Sequence, residues 1–199
     1  GPDTTPPKIE ATSIENNMPV KYEQDSVDLE VYVNEPADCK WSRADKSYKD
    51  MENQMACYNN VWEMNNNLVY TCKTTLTGLE NRKDNVFYFR CKDQPWKNES
   101  ERNENQQSYK YTLKGSQPLN IVKVSPNGTI SGASDVVSVE LELETENGYK
   151  DGEAICYFST TGEENDFLQF FETNSDTHGQ KQDLTAGSYT YYFKCIDLG

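Results

Sequence analysis

The sequence predicts an all-β fold, arranged as two tandem β-sandwich domains held by disulfides. Three observations predict it. Apolar and polar residues alternate with period two in several short runs. Those runs recur in the same order at a period near 110 residues. Six cysteines are spread widely along the 199-residue chain. Two sandwiches of about 100 residues apiece fit this length.

The alternation is clearest near the start of each half. Val27, Leu29, Val31 and Val33 alternate with Asp28, Glu30 and Tyr32, and Val137, Val139, Leu141 and Leu143 alternate with Ser138, Glu140 and Glu142. Period two puts the apolar set on one face of a strand and leaves the acids to water. Phe87, Phe89 and Cys91 share a face in the same way, as do Tyr191, Phe193 and Cys195. Turn residues punctuate the runs at Asn34-Glu35-Pro36, Asn127-Gly128, Asn147-Gly148, Asp151-Gly152 and Ala186-Gly187. One segment reads differently. Tyr48, Met51 and Met55 recur at helical spacing, so a helix over residues 45–55 is the alternative there.

Four matches in chain order mark the repeat. Pro7-Lys8-Ile9 answers Pro118-Leu119-Asn120-Ile121, and the run at 27–33 answers 137–143. Cys39-Lys40-Trp41-Ser42 answers Cys156-Tyr157-Phe158-Ser159, and residues 86–93 answer 190–197. We read a first domain at 1–115 with an inserted loop at about 57–72, and a second at 116–199. The joint at 114–118 is short, which implies a stiff rod. The second domain stops four residues after Cys195, with no counterpart of the strand-like residues 108–113. That leaves either a final strand outside this sequence or an open sheet edge completed by another chain. Gly1-Pro2 reads as the scar of a cleaved tag, and the native chain is expected to continue on one or both sides.

Composition narrows the function classes. Lys and Arg number 19 against 33 Asp and Glu, a net charge of −14. Nucleic acid and anionic membrane both require clustered positive charge, so neither is an expected partner. No apolar run approaches the 18 residues of a membrane span, so no insertion is expected within this fragment. The cysteines contain no C-x-x-C pair and His178 is the single imidazole, which argues against zinc and thioredoxin-type sites. An even number of widely spaced cysteines fits disulfides in an oxidising compartment, hence an extracellular or cell-surface location.

The pattern resembles the tandem immunoglobulin-like modules of large secreted and cell-surface proteins. The residues that carry it are Cys39…Cys91 and Cys156…Cys195, each with an aromatic residue two positions after the first Cys (Trp41, Phe158). The stretch 184–189 leading into Tyr191-Tyr192-Phe193-Lys194-Cys195-Ile196-Asp197 adds to it. The resemblance implies a fold, not an activity. One departure concerns placement. Cys39 follows the 27–33 strand after a turn, so a Cys39–Cys91 bond would join neighbouring strands of one sheet instead of tying two sheets together.

Four cysteines in the first domain allow three pairings. The second domain holds only Cys156 and Cys195, and their repeat equivalents are Cys39 and Cys91, which leaves Cys57 with Cys72. The first domain is thirteen residues longer between its paired cysteines. Nine of those residues fall before Tyr70, when Ser42 is aligned with Ser159 and Tyr70 with His178. An inserted loop with its own staple accounts for them.

Enzyme motifs are missing: no G-x-G-x-x-G, no G-x-x-x-x-G-K-[ST], no G-x-S-x-G. His178 lies in a polar stretch, 174–179, and reads as a turn residue with a structural or solvated role. No cofactor is expected. Calcium enters only through acid-rich turns such as Asp151-Gly152-Glu153 and Glu163-Glu164-Asn165-Asp166, and no segment matches D-x-[DN]-x-[DN]-G. Two loops are candidate recognition surfaces. The stapled insertion carries Tyr58, Trp62 and Met64 among asparagines, a composition that supplies contact area and hydrogen bonds. The opposing expectation is that Trp62 and Met64 fold back as a satellite core under the disulfide. The stretch 94–107 carries Trp96, expected to pack beside the sheet edge while the rest stays mobile. Asn98-Glu99-Ser100 and Asn127-Gly128-Thr129 match the N-glycosylation pattern, making Asn98 and Asn127 candidate sites.

The expectation is therefore a non-enzymatic extracellular segment: a stalk, adhesin or surface-layer component. Its partners would be a surface protein or glycan, or neighbouring copies of itself. A carbohydrate- or protein-binding module using the aromatic loop residues is the alternative. A filament subunit completed by a donated strand is a third reading.

Overall fold

The computed structural model describes residues 2–198; Gly1 of the Gly1-Pro2 pair and Gly199 lie outside them. The chain divides into two compact units, the first ending at Gly115 and the second beginning at Ser116.

Among the described residues, unit 1 holds nine strands: β1 (Ile9–Thr12), β2 (Pro19–Val20), β3 (Ser26–Val33), β4 (Ala37–Ser42), β5 (Asn53–Gln54), β6 (Ala56–Cys57), β7 (Tyr70–Thr77), β8 (Asp84–Asp93) and β9 (Tyr109–Gly115). They form two sheets, β1-β3-β7-β6 and β2-β9-β8-β4-β5. All pairs are antiparallel except β2 with β9. This is the strand order of an immunoglobulin-like sandwich. Its core is the predicted apolar face: Leu29, Val31 and Val33 from β3 meet Phe87, Phe89, Tyr111 and Leu113 from the opposite sheet. Trp41 packs edge-on against Phe87 at 5.5 Å, and its indole N–H donates to Thr74 Oγ1 at 2.9 Å, so the buried donor is satisfied.

Unit 2 holds β10 (Gln117–Ser125), β11 (Val136–Gly148), β12 (Ala154–Ser159), β13 (Leu168–Gln169), β14 (Thr177–Thr185) and β15 (Tyr192–Asp197). Its sheets are β10-β11-β14 and β13-β12-β15. On β11, Val139, Leu141 and Leu143 are buried while Glu140, Glu142 and Glu144 face solvent. The aromatic centre is Phe170, which packs edge-on against Phe158 at 5.5 Å. At the turn before β15, the Tyr189 hydroxyl donates to the Thr185 carbonyl at 2.9 Å, bracing the corner between the two sheets.

Three disulfides are present: Cys39–Cys91, Cys57–Cys72 and Cys156–Cys195. Cys39 opposes Cys91 across β4 and β8, and Cys156 opposes Cys195 across β12 and β15, so both bonds lie within one sheet. The sulfurs of Cys39, Cys57 and Cys72 lie within 4.8 Å of one another, so the two staples of unit 1 meet between the sheets.

Several expectations are corrected. The helix alternative over residues 45–55 does not form. Tyr48–Asp50 is a single 3₁₀ turn and extended chain follows it. Tyr48, Met51 and Met55 are nevertheless buried, so their spacing records core contacts of an irregular crossing rather than a helical face. His178 is not in a turn: it is the second residue of β14, opposite Leu143, and only 3% exposed. The match of Ile9 to Ile121 slips, because Ile9 opposes Val33 whereas Val124 opposes Leu143. Strand β10 has bulged relative to the simple alignment.

Candidate functional site

The stapled loop of unit 1, residues 58–69, is built by its polar side chains. The Cys57–Cys72 bond lies in register across β6 and β7, and Tyr58 N–H continues the pairing to the Thr71 carbonyl at 3.0 Å. Asn59 Oδ1 accepts from Ala37 N–H at 3.0 Å and ties the loop to β4. Asn60 donates through its backbone and side-chain N–H groups to Glu63 Oε1, at 3.3 and 2.5 Å, closing the 3₁₀ turn Val61–Glu63. Asn65 Oδ1 accepts from the N–H groups of Asn67 and Val69 at 2.9 and 3.2 Å. The side chains of Asn60 and Asn65 are thus turned onto the loop and that of Asn59 onto β4, whereas Asn66 and Asn67 are exposed.

Large apolar side chains face outward beside the exposed Asn66 and Asn67. Trp62 is 83% exposed, Val61 72%, Leu68 72% and Tyr58 40%. Leu68 sits at φ 61, a left-handed conformation that costs a leucine about 1 kcal/mol and is held by the Asn65 turn. Lys73 Nζ lies 5.3 Å from the centre of the Tyr58 ring and fixes that side chain at the edge of the patch. The satellite-core expectation fails for Trp62. Met64 is half-buried, but neither residue joins the unit 1 core. A loop that presents Trp, Val and Leu to water leaves apolar area that burial against another surface would stabilise.

The second loop, 94–107, is tied to its surroundings by hydrogen bonds. Arg102 donates to the Asp93 carbonyl at 2.6 Å and to Asp38 Oδ2 at 3.0 Å. Asn105 Oδ1 accepts from Cys91 N–H at 2.7 Å, and Asn105 N–H donates to the Cys91 carbonyl at 3.0 Å. Trp96 does not pack beside the sheet; it is 66% exposed. Asn98 and Asn127 are both exposed.

Two titratable sites stand out: His178, whose structural role was expected but whose place in a strand was not, and a carboxylate group that the sequence did not indicate. His178 bridges two hydroxyls, with Nε2 2.9 Å from Thr145 Oγ1 and Nδ1 2.6 Å from Thr173 Oγ1, and burial pushes its pKa down. The imidazole is a structural link between β11, β14 and the loop before it. In unit 1, carboxylate oxygens of Asp3, Glu35 and Asp93 lie within 4.8 Å of one another. Asp93 is fully buried and accepts from the Asn103 backbone and side chain at 2.5 and 2.9 Å. Glu35 is pushed up to about 7, first by burial, then by its hydrogen bond to Asp93, then by the charges of Asp93 and Asp3. These three carboxylates are the group nearest to a cation-binding arrangement among the described residues. The other cluster, Cys39 with Cys57 and Cys72, is committed to disulfides. The turn Asn34-Glu35-Pro36 gave no sign of the acid pair, because Asp93 is distant in sequence.

No protein-family model matches the chain, and no curated protein matches it. Among solved structures it is similar to the teleost fish polymeric Ig receptor (pIgR) ectodomain, at 13% identity and a TM-score of 0.28, over 89% of this chain and 94% of that one. The immunoglobulin-like assignment stands on the strand order and the disulfide-bearing sheets described above. Among the described residues no helix is long and apolar enough to cross a membrane.

Proposed function

We propose that the chain is a non-enzymatic adhesion segment of an extracellular protein, a duplicated immunoglobulin-like sandwich whose first unit binds a protein partner through the Trp62 loop. The duplication is supported by register. Ala37 opposes Asp93 as Ala154 opposes Asp197, Trp41 opposes Phe89 as Phe158 opposes Phe193, and Val33 opposes Tyr70 as Leu143 opposes His178. Three disulfides and no free cysteine among the described residues fit an oxidising environment. The observation that carries the binding reading is the exposure of three large apolar side chains, Val61, Trp62 and Leu68, on a loop whose Asn59, Asn60, Glu63 and Asn65 side chains bond within unit 1. A sugar platform needs polar groups beside the aromatic ring, and a protein pocket needs an apolar anchor. Asn98 and Asn127, both exposed, are proposed as glycan acceptors.

The test is binding of fluorescent multimers of the chain to intact cells of its source, set beside a glycan array. The reading predicts cell binding that survives deglycosylation of the target and is lost in Trp62→Ala. Array binding that depends on Trp62 would assign a carbohydrate module instead, and cell binding unaffected by Trp62→Ala would remove the loop from recognition.

A further inference from the structure

The two staples of unit 1 are close enough to exchange partners. Cys39 and Cys91 stand on β4 and β8 of one sheet, and Cys57 and Cys72 on β6 and β7 of the other. The sulfurs of Cys39, Cys57 and Cys72 nevertheless lie within 4.8 Å of one another. The chain brings them together where it crosses between the sheets. Strand β5 pairs with β4, Met55 N–H donates to the Cys39 carbonyl at 3.0 Å, and two residues later Cys57 opposes Cys72 in the other sheet. The Trp41 indole, two positions after Cys39, reaches Thr74, two positions after Cys72, at 2.9 Å, so β4 and β7 face each other closely here.

Burial separates the four sulfurs. Cys39 and Cys91 are fully buried and Cys72 is 1% exposed, whereas Cys57 is half-buried. A thiol from solvent therefore meets Cys57 first. Attack there breaks the Cys57–Cys72 bond and expels the Cys72 thiolate into the core. That thiolate lies within 4.8 Å of Cys39 Sγ. A side-chain shift of about 3 Å at most brings it to bonding distance.

We propose that Cys57 is an entry site for low-molecular-weight thiols, and that its modification passes inward to form a cross-sheet disulfide between Cys39 and Cys72. In the first step the thiol's sulfur bonds to Cys57 Sγ as the Cys57–Cys72 bond breaks. In the second, the Cys72 thiolate bonds to Cys39 Sγ and the Cys39–Cys91 bond breaks. Cys91 leaves as a thiolate and takes up the proton that the incoming thiol gave up. Two disulfides and one thiol enter, and two disulfides and one thiol leave, so no oxidant is needed. Cys72 and Cys91 are equally buried, so burial favours neither as the resting thiol and the second step runs near balance. The staple of the 58–69 loop is thereby exchanged for a bond that ties the two sheets. This chemistry does not require the Trp62 loop to bind a partner.

The probe is reduced glutathione, added without denaturant to the oxidised full chain at about pH 8, where thiolate forms. Acid quenching stops exchange, N-ethylmaleimide in acidic denaturant labels the free thiols, and peptic digestion with mass spectrometry maps each cysteine. Among chains carrying glutathione on Cys57, Cys91 is expected to be labelled about as often as Cys72, with Cys39–Cys72 peptides recovered in step with the Cys91 label. Cys91 labelled at less than about a tenth of the Cys72 level would overturn the proposal, because the thiol would then stay where it was expelled. So would a chain that takes up no glutathione, or takes it up first at Cys39, Cys72 or Cys91. The Cys156–Cys195 bond is the internal control. Cys91 labelling that appears only together with loss of that bond would mean general unfolding, and would also overturn the proposal.

Discussion

The Cys57–Cys72 staple makes the Trp62 loop rigid, and its removal has a calculable cost. The bond closes a span of 15 residues. Chain entropy assigns such a cross-link about 3 kcal/mol, chiefly by restricting the unfolded state. Cys72 is 1% exposed, so replacing the sulfur pair by alanine also removes packing, which adds up to about 1 kcal/mol. The double variant Cys57→Ala/Cys72→Ala should therefore lose about 3–4 kcal/mol of unit 1 stability. All three tryptophans lie in unit 1, so fluorescence during urea unfolding reports on that unit. With an m-value of about 2 kcal/mol/M, the midpoint should fall by at least about 1.5 M. Amide exchange at Asn67 and Val69 should accelerate as the Asn65 turn loosens. A midpoint shift under about 0.5 M with unchanged exchange in residues 58–69 would refute the reasoning. The loop would then be held by its side-chain hydrogen bonds alone.

Other outcomes follow from the same contacts. Glu35 has a folded pKa raised from 4.5 to about 7, so its stabilising contribution is complete below about pH 4.5 and is lost as pH rises through about 7. Relative to wild type, Glu35→Gln should gain about 1 kcal/mol between those limits after solvent screening, read from tryptophan-monitored urea midpoints at pH 4.5 and 8. His178 has the opposite sign. Its folded pKa is depressed, so its contribution is present above the unfolded value of 6.5 and lost as pH falls. Thermal melts tracked by the NMR signals of Leu141 and Leu143 should show this acid decline, flattened in His178→Gln. Phe170→Ala, at a position 1% exposed, should cost about 3–5 kcal/mol of unit 2 stability in the same melts. Trp62→Ala, at a position 83% exposed, should change the stability of unit 1 by less than about 0.5 kcal/mol by fluorescence-free circular dichroism.

The strands were legible because their signal is local. The alternation over 27–33 and 137–143 dictates which face is buried, and β3 and β11 bury those faces. The in-sheet disulfides were legible because Cys39 could be placed one turn after a strand whose register was already clear. Residues whose role depends on distant partners were not legible. His178 sits among polar neighbours, and its burial depends on two hydroxyls, those of Thr173 and of Thr145, the latter 33 positions away. Glu35 belongs to a turn in sequence and to a carboxyl pair in space. Tyr48, Met51 and Met55 gave a helical period because each reaches the core, although the backbone between them is largely extended. For Trp62 the sequence admitted two placements, since an aromatic residue in a stapled loop satisfies its composition whether it faces in or out. The asparagine hydrogen bonds decided the matter, and their geometry is tertiary.

Disulfide mapping of the unreduced protein probes the foundation most directly. Alkylation under denaturing conditions without reductant, followed by proteolysis and mass spectrometry, should label no cysteine. It should return three linked peptide pairs, joining 39 to 91, 57 to 72 and 156 to 195. Alkylated thiols at these positions in protein purified from its native source would contradict the oxidising location, the rigid loop and the binding role together.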